Sequence, residues 1–95
     1  MIVYLQLKVQ HKTDTENPYG MVNYWINESD SNKAYQIASN VIEDKGWKVT
    51  DIQQAMLTDR NSYSDPAHLE FYEKALADGQ AYEISILEPQ SITMG

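Results

Sequence analysis

The chain has 95 residues, of which 42% are hydrophobic and 22% are charged, a composition typical of a single globular domain. Seven basic against fourteen acidic residues give a net charge of −7, which repels phosphates and argues against nucleic acid or anionic membrane as a partner. Cysteine is absent, which excludes disulfide and thiol chemistry, and no leader-like or membrane-spanning apolar run is present. We therefore expect a cytoplasmic protein.

Two alternating segments predict the first two strands. Within residues 2–11, apolar side chains occupy the odd positions from 3 to 9, the pattern of a half-buried strand. A polar loop with an Asn-Pro-Tyr-Gly turn sequence follows it. Residues 21–28 then alternate again, which predicts a second strand antiparallel to the first.

Two amphipathic segments predict helices. Residues 32–45 repeat apolar side chains with helical spacing and stop at Gly46, and any of the polar residues 29–31 can cap the first turn. The second helix begins after Asp65, which is followed by proline, and ends at Gly79.

A change of parity marks the third strand, which begins at Trp47. Trp47 and Val49 share one side of the strand, whereas Ile52 and Met56 have the opposite parity. A bulge near residues 50–51 would restore the register; alternatively, the strand ends there.

A last alternating segment, residues 81–88, completes the order ββαβαβ in one domain of residues 1–88, with a loose tail at 89–95. Right-handed crossovers that step in the same direction place both helices on one face of the sheet. The predicted fold is a two-layer α+β sandwich with a four-stranded mixed sheet in the order 2-1-3-4. In this layout, residues 2–88 resemble small bacterial α+β domains of ferredoxin-like build, and the resemblance implies a fold but no site residue.

The sheet face opposite the helices is the first candidate functional surface. Five apolar residues fall on it: Ile2, Tyr4, Met21, Trp25 and Leu87. Aromatic residues and methionine are enriched at interface cores, and a monomer seldom exposes so large a patch. We therefore predict a small acidic, non-enzymatic interaction module that pairs through this face, as a homodimer or with another protein. Alternatively, the loop at 11–19 or the tail covers the patch.

The loop at residues 58–65 is the second candidate surface. Asp59, Arg60 and Tyr63 would line a cleft there, and Arg60, the one arginine of the chain, could hold a carboxylate in a bidentate grip. This hypothesis makes the protein a small-molecule-binding or regulatory domain.

Two weaker patterns concern metal and acid–base chemistry. Five residues match positions 1, 3, 5, 7 and 12 of a calcium loop: Asp59, Asn61, Tyr63, Asp65 and Glu70. Serine occupies the position that requires glycine, which favours a simple polar loop. His68, three residues after Asp65, could take part in proton transfer, but no nucleophile motif accompanies it. The sequence therefore predicts no catalytic site, metal site or cofactor.

Overall fold

Four strands and two helices make up the computed structural model, which describes residues 2–13 and 19–86. The elements are β1 (Ile2–His11), β2 (Tyr19–Ile26), α1 (Ser31–Asp44), β3 (Trp47–Thr58), α2 (Pro66–Asp78) and β4 (Gln80–Ile86). The predicted α+β class and the order ββαβαβ are confirmed. No helix within the described ranges is long and apolar enough to cross a membrane. The predicted tail at 89–95 lies outside these ranges.

The four strands form one antiparallel sheet in the order β3-β1-β2-β4. The predicted order 2-1-3-4 and the predicted mixed sheet are therefore wrong. The prediction assumed that both crossovers step in the same direction, whereas the second returns past β1 and β2. The N–H of Asn27 donates to the carbonyl of Gly79 at 2.9 Å, which holds the start of β4 beside the end of β2.

The two helices pack on opposite faces of the sheet, here named the α1 face and the α2 face. The core of the α1 face consists of Val3, Leu5, Leu7, Val9, Val22, Tyr24, Ile26, Ala34, Ala38, Ile42 and Trp47. On the α2 face, Tyr72 and Ala75 of the helix pack with Ile2 and Trp25 of the sheet. The architecture is therefore helix, sheet, helix, and the prediction of both helices on one face is wrong.

β3 carries two bulges, at Thr50 and Gln53, where it has one residue more than β1. The hydroxyl of Thr50 donates to the carbonyl of Lys8 at 3.1 Å and ties the first bulge to β1. The bulge predicted near residues 50–51 is therefore present, and the strand continues beyond it. Because the second bulge shifts the parity again, Ile52 lies on the α1 face and Met56 on the α2 face.

Candidate interaction surfaces

The predicted aromatic surface is largely covered by α2. Ile2 and Trp25 have no exposed surface, so the premise that this face is bare is wrong for both residues. Tyr4 and Met21 are half-buried, and Leu87 lies outside the described residues. A contact of Tyr4 or Met21 with a partner stays a prediction.

Aromatic side chains from α2 and from neighbouring segments pack around Trp25 and cover it. Its indole stacks on the ring of Phe71, with 4.8 Å between centroids and 5° between planes. The rings of Tyr4 and His68 lie 5.3 Å and 5.6 Å from it. The indole Nε1 donates to the hydroxyl of Tyr63 at 3.0 Å. The side chains that resemble an interface core thus pack within the chain, beneath a helix that the sequence placed on the other face.

Beyond α2, the same face carries a polar network across β1, β2 and β4. The Tyr4 hydroxyl donates to Oδ1 of Asn23 at 2.6 Å, and the Asn23 amide donates to Oε1 of Glu83 at 2.9 Å. The Gln6 amide also donates to Asn23 Oδ1, at 3.4 Å. Burial, with Tyr63 and then Glu83 nearby, raises the pKa of Tyr4, so its phenol stays neutral and donates. These groups bind one another and fix the register of three strands.

Arg60 has a carboxylate partner within the chain. Its Nη1 lies 2.6 Å from Oε1 of Glu73, and both side chains are about half exposed or more. A ligand carboxylate at Arg60 would have to displace that of Glu73. The bidentate grip predicted for Arg60 therefore competes with an ion pair that already exists.

Tyr63 and Asp59 are also engaged in local structure. The Tyr63 hydroxyl accepts from Trp25 and donates to Oγ1 of Thr58 at 2.9 Å, which connects the loop to the sheet. Asp59 precedes a single 3₁₀ turn, and its Oδ1 accepts from the hydroxyl of Ser62 at 3.3 Å. Tyr63 therefore faces the sheet, while Asp59 is occupied by the turn that follows it.

The calcium-like pattern and His68 also have local roles. Asp65 caps α2 by accepting the N–H of Ala67 at 2.9 Å, while His68 lies against the Trp25 ring. Within residues 2–13 and 19–86, no group of three or more His, Cys, Asp or Glu side chains could hold a metal ion.

A small cleft lies at the opposite end of the sheet. Its volume is about 260 Å³, and it is lined by Gln10, His11, Lys12 and Lys48. The ammonium of Lys12 donates to the carbonyl of Glu43 at 3.4 Å. The sequence did not indicate this cleft, because only the antiparallel register of β1 and β3 joins residues so far apart.

The surface that sequence reasoning missed is the outer side of β3. This strand is at the edge of the sheet, and every residue from 50 to 57 is exposed. Ile52, Met56 and Leu57 are 45%, 49% and 45% exposed. In the predicted order β3 was an inner strand, with neighbours on both sides, so these apolar residues did not indicate an exposed surface.

The two halves of this edge differ in how well they are protected against pairing with a strand of another molecule. In the first half, Oδ1 of Asp51 accepts the N–H of Ile52 and its Oδ2 accepts the side-chain amide of Gln53, both at 2.9 Å. Bulges and charged side chains are the usual means of blocking a strand edge, and this half has both. Residues 54–58, hereafter the open edge, contain neither a bulge nor a charge.

The chain matches no family model, no curated protein and no solved structure.

Proposed function

We propose that this chain is a small, acidic, non-enzymatic interaction module whose contact surface is the outer side of β3. The observation that carries the proposal is three half-exposed apolar side chains on this edge strand, Ile52 and Leu57 on the α1 face and Met56 on the α2 face. Single exposed apolar residues are common, but these three lie within six consecutive positions of one strand, and every one of those positions is exposed.

Burial of these apolar side chains favours association. Burying about 200 Å² of apolar surface, at about 25 cal/mol per Å², is worth on the order of 5 kcal/mol before the entropic cost of association. The backbone groups of the edge would add hydrogen bonds to a partner strand. A modest affinity is therefore expected.

A non-enzymatic role fits the use of the polar groups near α2. Tyr4, Asn23 and Glu83 bind one another, and Tyr63 joins Trp25 to Thr58. Catalytic groups need a place for a reacting atom beside them. These groups serve to hold strands and helix together.

The alternative function, a small-molecule-binding or regulatory domain that uses the 58–65 loop, has less support. Arg60 pairs with Glu73, and Tyr63 is directed toward the sheet. This alternative requires a ligand that displaces Glu73, and a thermal-shift screen of small carboxylates with Arg60→Ala as the control tests it.

Native mass spectrometry tests the proposed function. The chain is purified gently from its own cells, together with the double variant Ile52→Lys, Leu57→Lys. The matched control is Ile37→Lys, Leu76→Lys, which places the same charges on apolar residues of similar exposure on α1 and α2. We expect a bound protein, either a second copy or another chain, with the wild type and the control but not with the β3 variant. Binding that survives the β3 variant would overturn the proposal, and so would a wild type that carries no bound protein here and also stays monomeric at 1 mM.

A further inference from the structure

The open edge at residues 54–58 has no charged residue to select a partner of opposite sign. From residue 52 to residue 58 the chain contains no Asp, Glu, Lys or Arg. Asp51, the nearest carboxylate in β3, already accepts two hydrogen bonds from its own strand. A basic partner attracted by the net charge of −7 would find no carboxylate within residues 52–58, and Asp59, which follows them, already accepts a hydrogen bond from Ser62.

The same edge is complementary to itself. Two identical strand edges can pair antiparallel around a two-fold axis. Each contact between two residues then occurs twice, once on either side of the axis. With the axis at Met56, Met56 meets its own copy and Gln54 lies opposite Thr58, whose buried hydroxyl is already bonded to Ile2 and Tyr63, so the self-complementary side chains are the apolar ones. Ala55 and Leu57 both lie on the α1 face and would pack against each other across the axis.

We infer that the occupant of the open edge is a second copy of this chain, paired antiparallel through residues 54–58 with the two-fold axis at Met56. The inference rests on the proposed function and specifies its partner. In the dimer, two four-stranded sheets join into one continuous sheet, with both copies of α1 on one face and both copies of α2 on the other. The pairing ends at the bulge at Gln53, beyond which the side chain of Asp51 already accepts the N–H of Ile52.

The size of this contact sets its strength. Five paired residues extend over roughly 17 Å of strand, at about 3.3 Å per residue. Such a contact buries well under the roughly 800 Å² per partner of a standard interface, so we expect a weak dimer. A dissociation constant on the order of 100 μM is the expected range.

Sedimentation equilibrium on the purified chain alone, from 10 μM to 1 mM, tests the inference. Leu57→Lys should weaken self-association at least tenfold, because it places like charges close together across the axis. Leu76→Lys, at an apolar residue of similar exposure on α2, should leave it unchanged. Circular dichroism spectra of the wild type and of both variants should be the same, which shows that neither substitution disrupts the fold.

Cysteine cross-linking locates the axis, since the chain has no cysteine of its own. Among single substitutions at positions 54 to 57, Met56→Cys should give the highest yield of disulfide dimer, and Leu76→Cys should give a background yield. A mixture of Ala55→Cys and Leu57→Cys should cross-link more than either protein alone. A flat yield, or a maximum at any tested position other than Met56, would overturn the inference.

The two proposals can fail separately. A wild type that stays monomeric at 1 mM overturns the second-copy inference. If a different protein is then found bound through β3 in native mass spectrometry, the proposed function stands. If no protein is found bound by either measurement, both proposals are overturned.

Discussion

Tyr24 is the residue whose ionisation the fold opposes most clearly. Its side chain has no exposed surface, its ring stacks on Tyr82 with 4.9 Å between centroids, and its hydroxyl donates to Oε1 of Gln80. Burial and the neighbouring Tyr82 raise the pKa of Tyr24 from 10.0 to about 12. The folded chain therefore keeps a proton that the unfolded chain loses above about pH 10.

This difference predicts a loss of stability in alkaline solution. Between pH 10 and about 12 the unfolded state binds fewer protons than the folded state, so the free energy of unfolding falls as the pH rises, by roughly 2 to 3 kcal/mol from this group. Tyr24→Phe should lack this component, whereas Tyr19→Phe, at an exposed ring, should keep it. Urea denaturation followed by tryptophan fluorescence from pH 8 to pH 12 measures it. Parallel pH profiles for the wild type and Tyr24→Phe would contradict the assignment.

The sequence predicts which side chains are too apolar for water more readily than it predicts what covers them. The sequence marked Trp25 and Ile2 as too apolar for water, and the structure buries both completely. It could not show that α2 is what covers them, because Phe71 and Tyr72 suit either face of a sheet equally well. Likewise, no pattern in the sequence pairs Arg60 with Glu73, whose side chains meet across a turn and a helix.

Gly79 ends α2 in the left-handed conformation, with φ at +96°. An added Cβ would meet nothing within 4 Å, so a substitution there is opposed by backbone strain alone. We expect Gly79→Ala to destabilise the fold by about 1 kcal/mol, and Gly79→Asn by less, because asparagine tolerates this conformation better. Urea denaturation of the three proteins measures the difference. An alanine variant as stable as the wild type would show that the turn relaxes.

The elements themselves were predictable because their signals are local. Asp65 and Gly79 cap α2 as expected, and Asp30 proves to be the cap of α1, accepting the N–H groups of Asn32 and Lys33. The strand order depends on the direction in which the connection through α2 crosses the sheet, and no local signal specifies that direction. The second bulge, at Gln53, was also missed, since only the register against β1 reveals it.

At the scale of the whole molecule, the net charge of −7 acts on a thin body. The described residues span 44 × 29 × 19 Å, so the acidic side chains repel one another over short distances. We expect the melting temperature at pH 7 to rise by roughly 2 to 5 °C between 20 and 300 mM NaCl, because salt screens this repulsion. Near pH 4.5, the isoelectric point of the sequence, the effect should vanish. Scanning calorimetry at 10 μM measures it, and a melting temperature that falls with salt at pH 7 would contradict the prediction.

The central position of β1 has a consequence for how the chain acquires its structure. The carbonyl of Ile2 accepts from Thr58, a residue 56 positions later, so the middle of the sheet is complete only after a long segment has closed. The hairpin of β1 and β2 can form earlier, but Trp25 then stays uncovered until α2 follows. At roughly 5 to 20 residues per second, a ribosome leaves that aromatic surface open for several seconds. The nascent chain is thus the form of this molecule in which the aromatic surface around Trp25 is open longest.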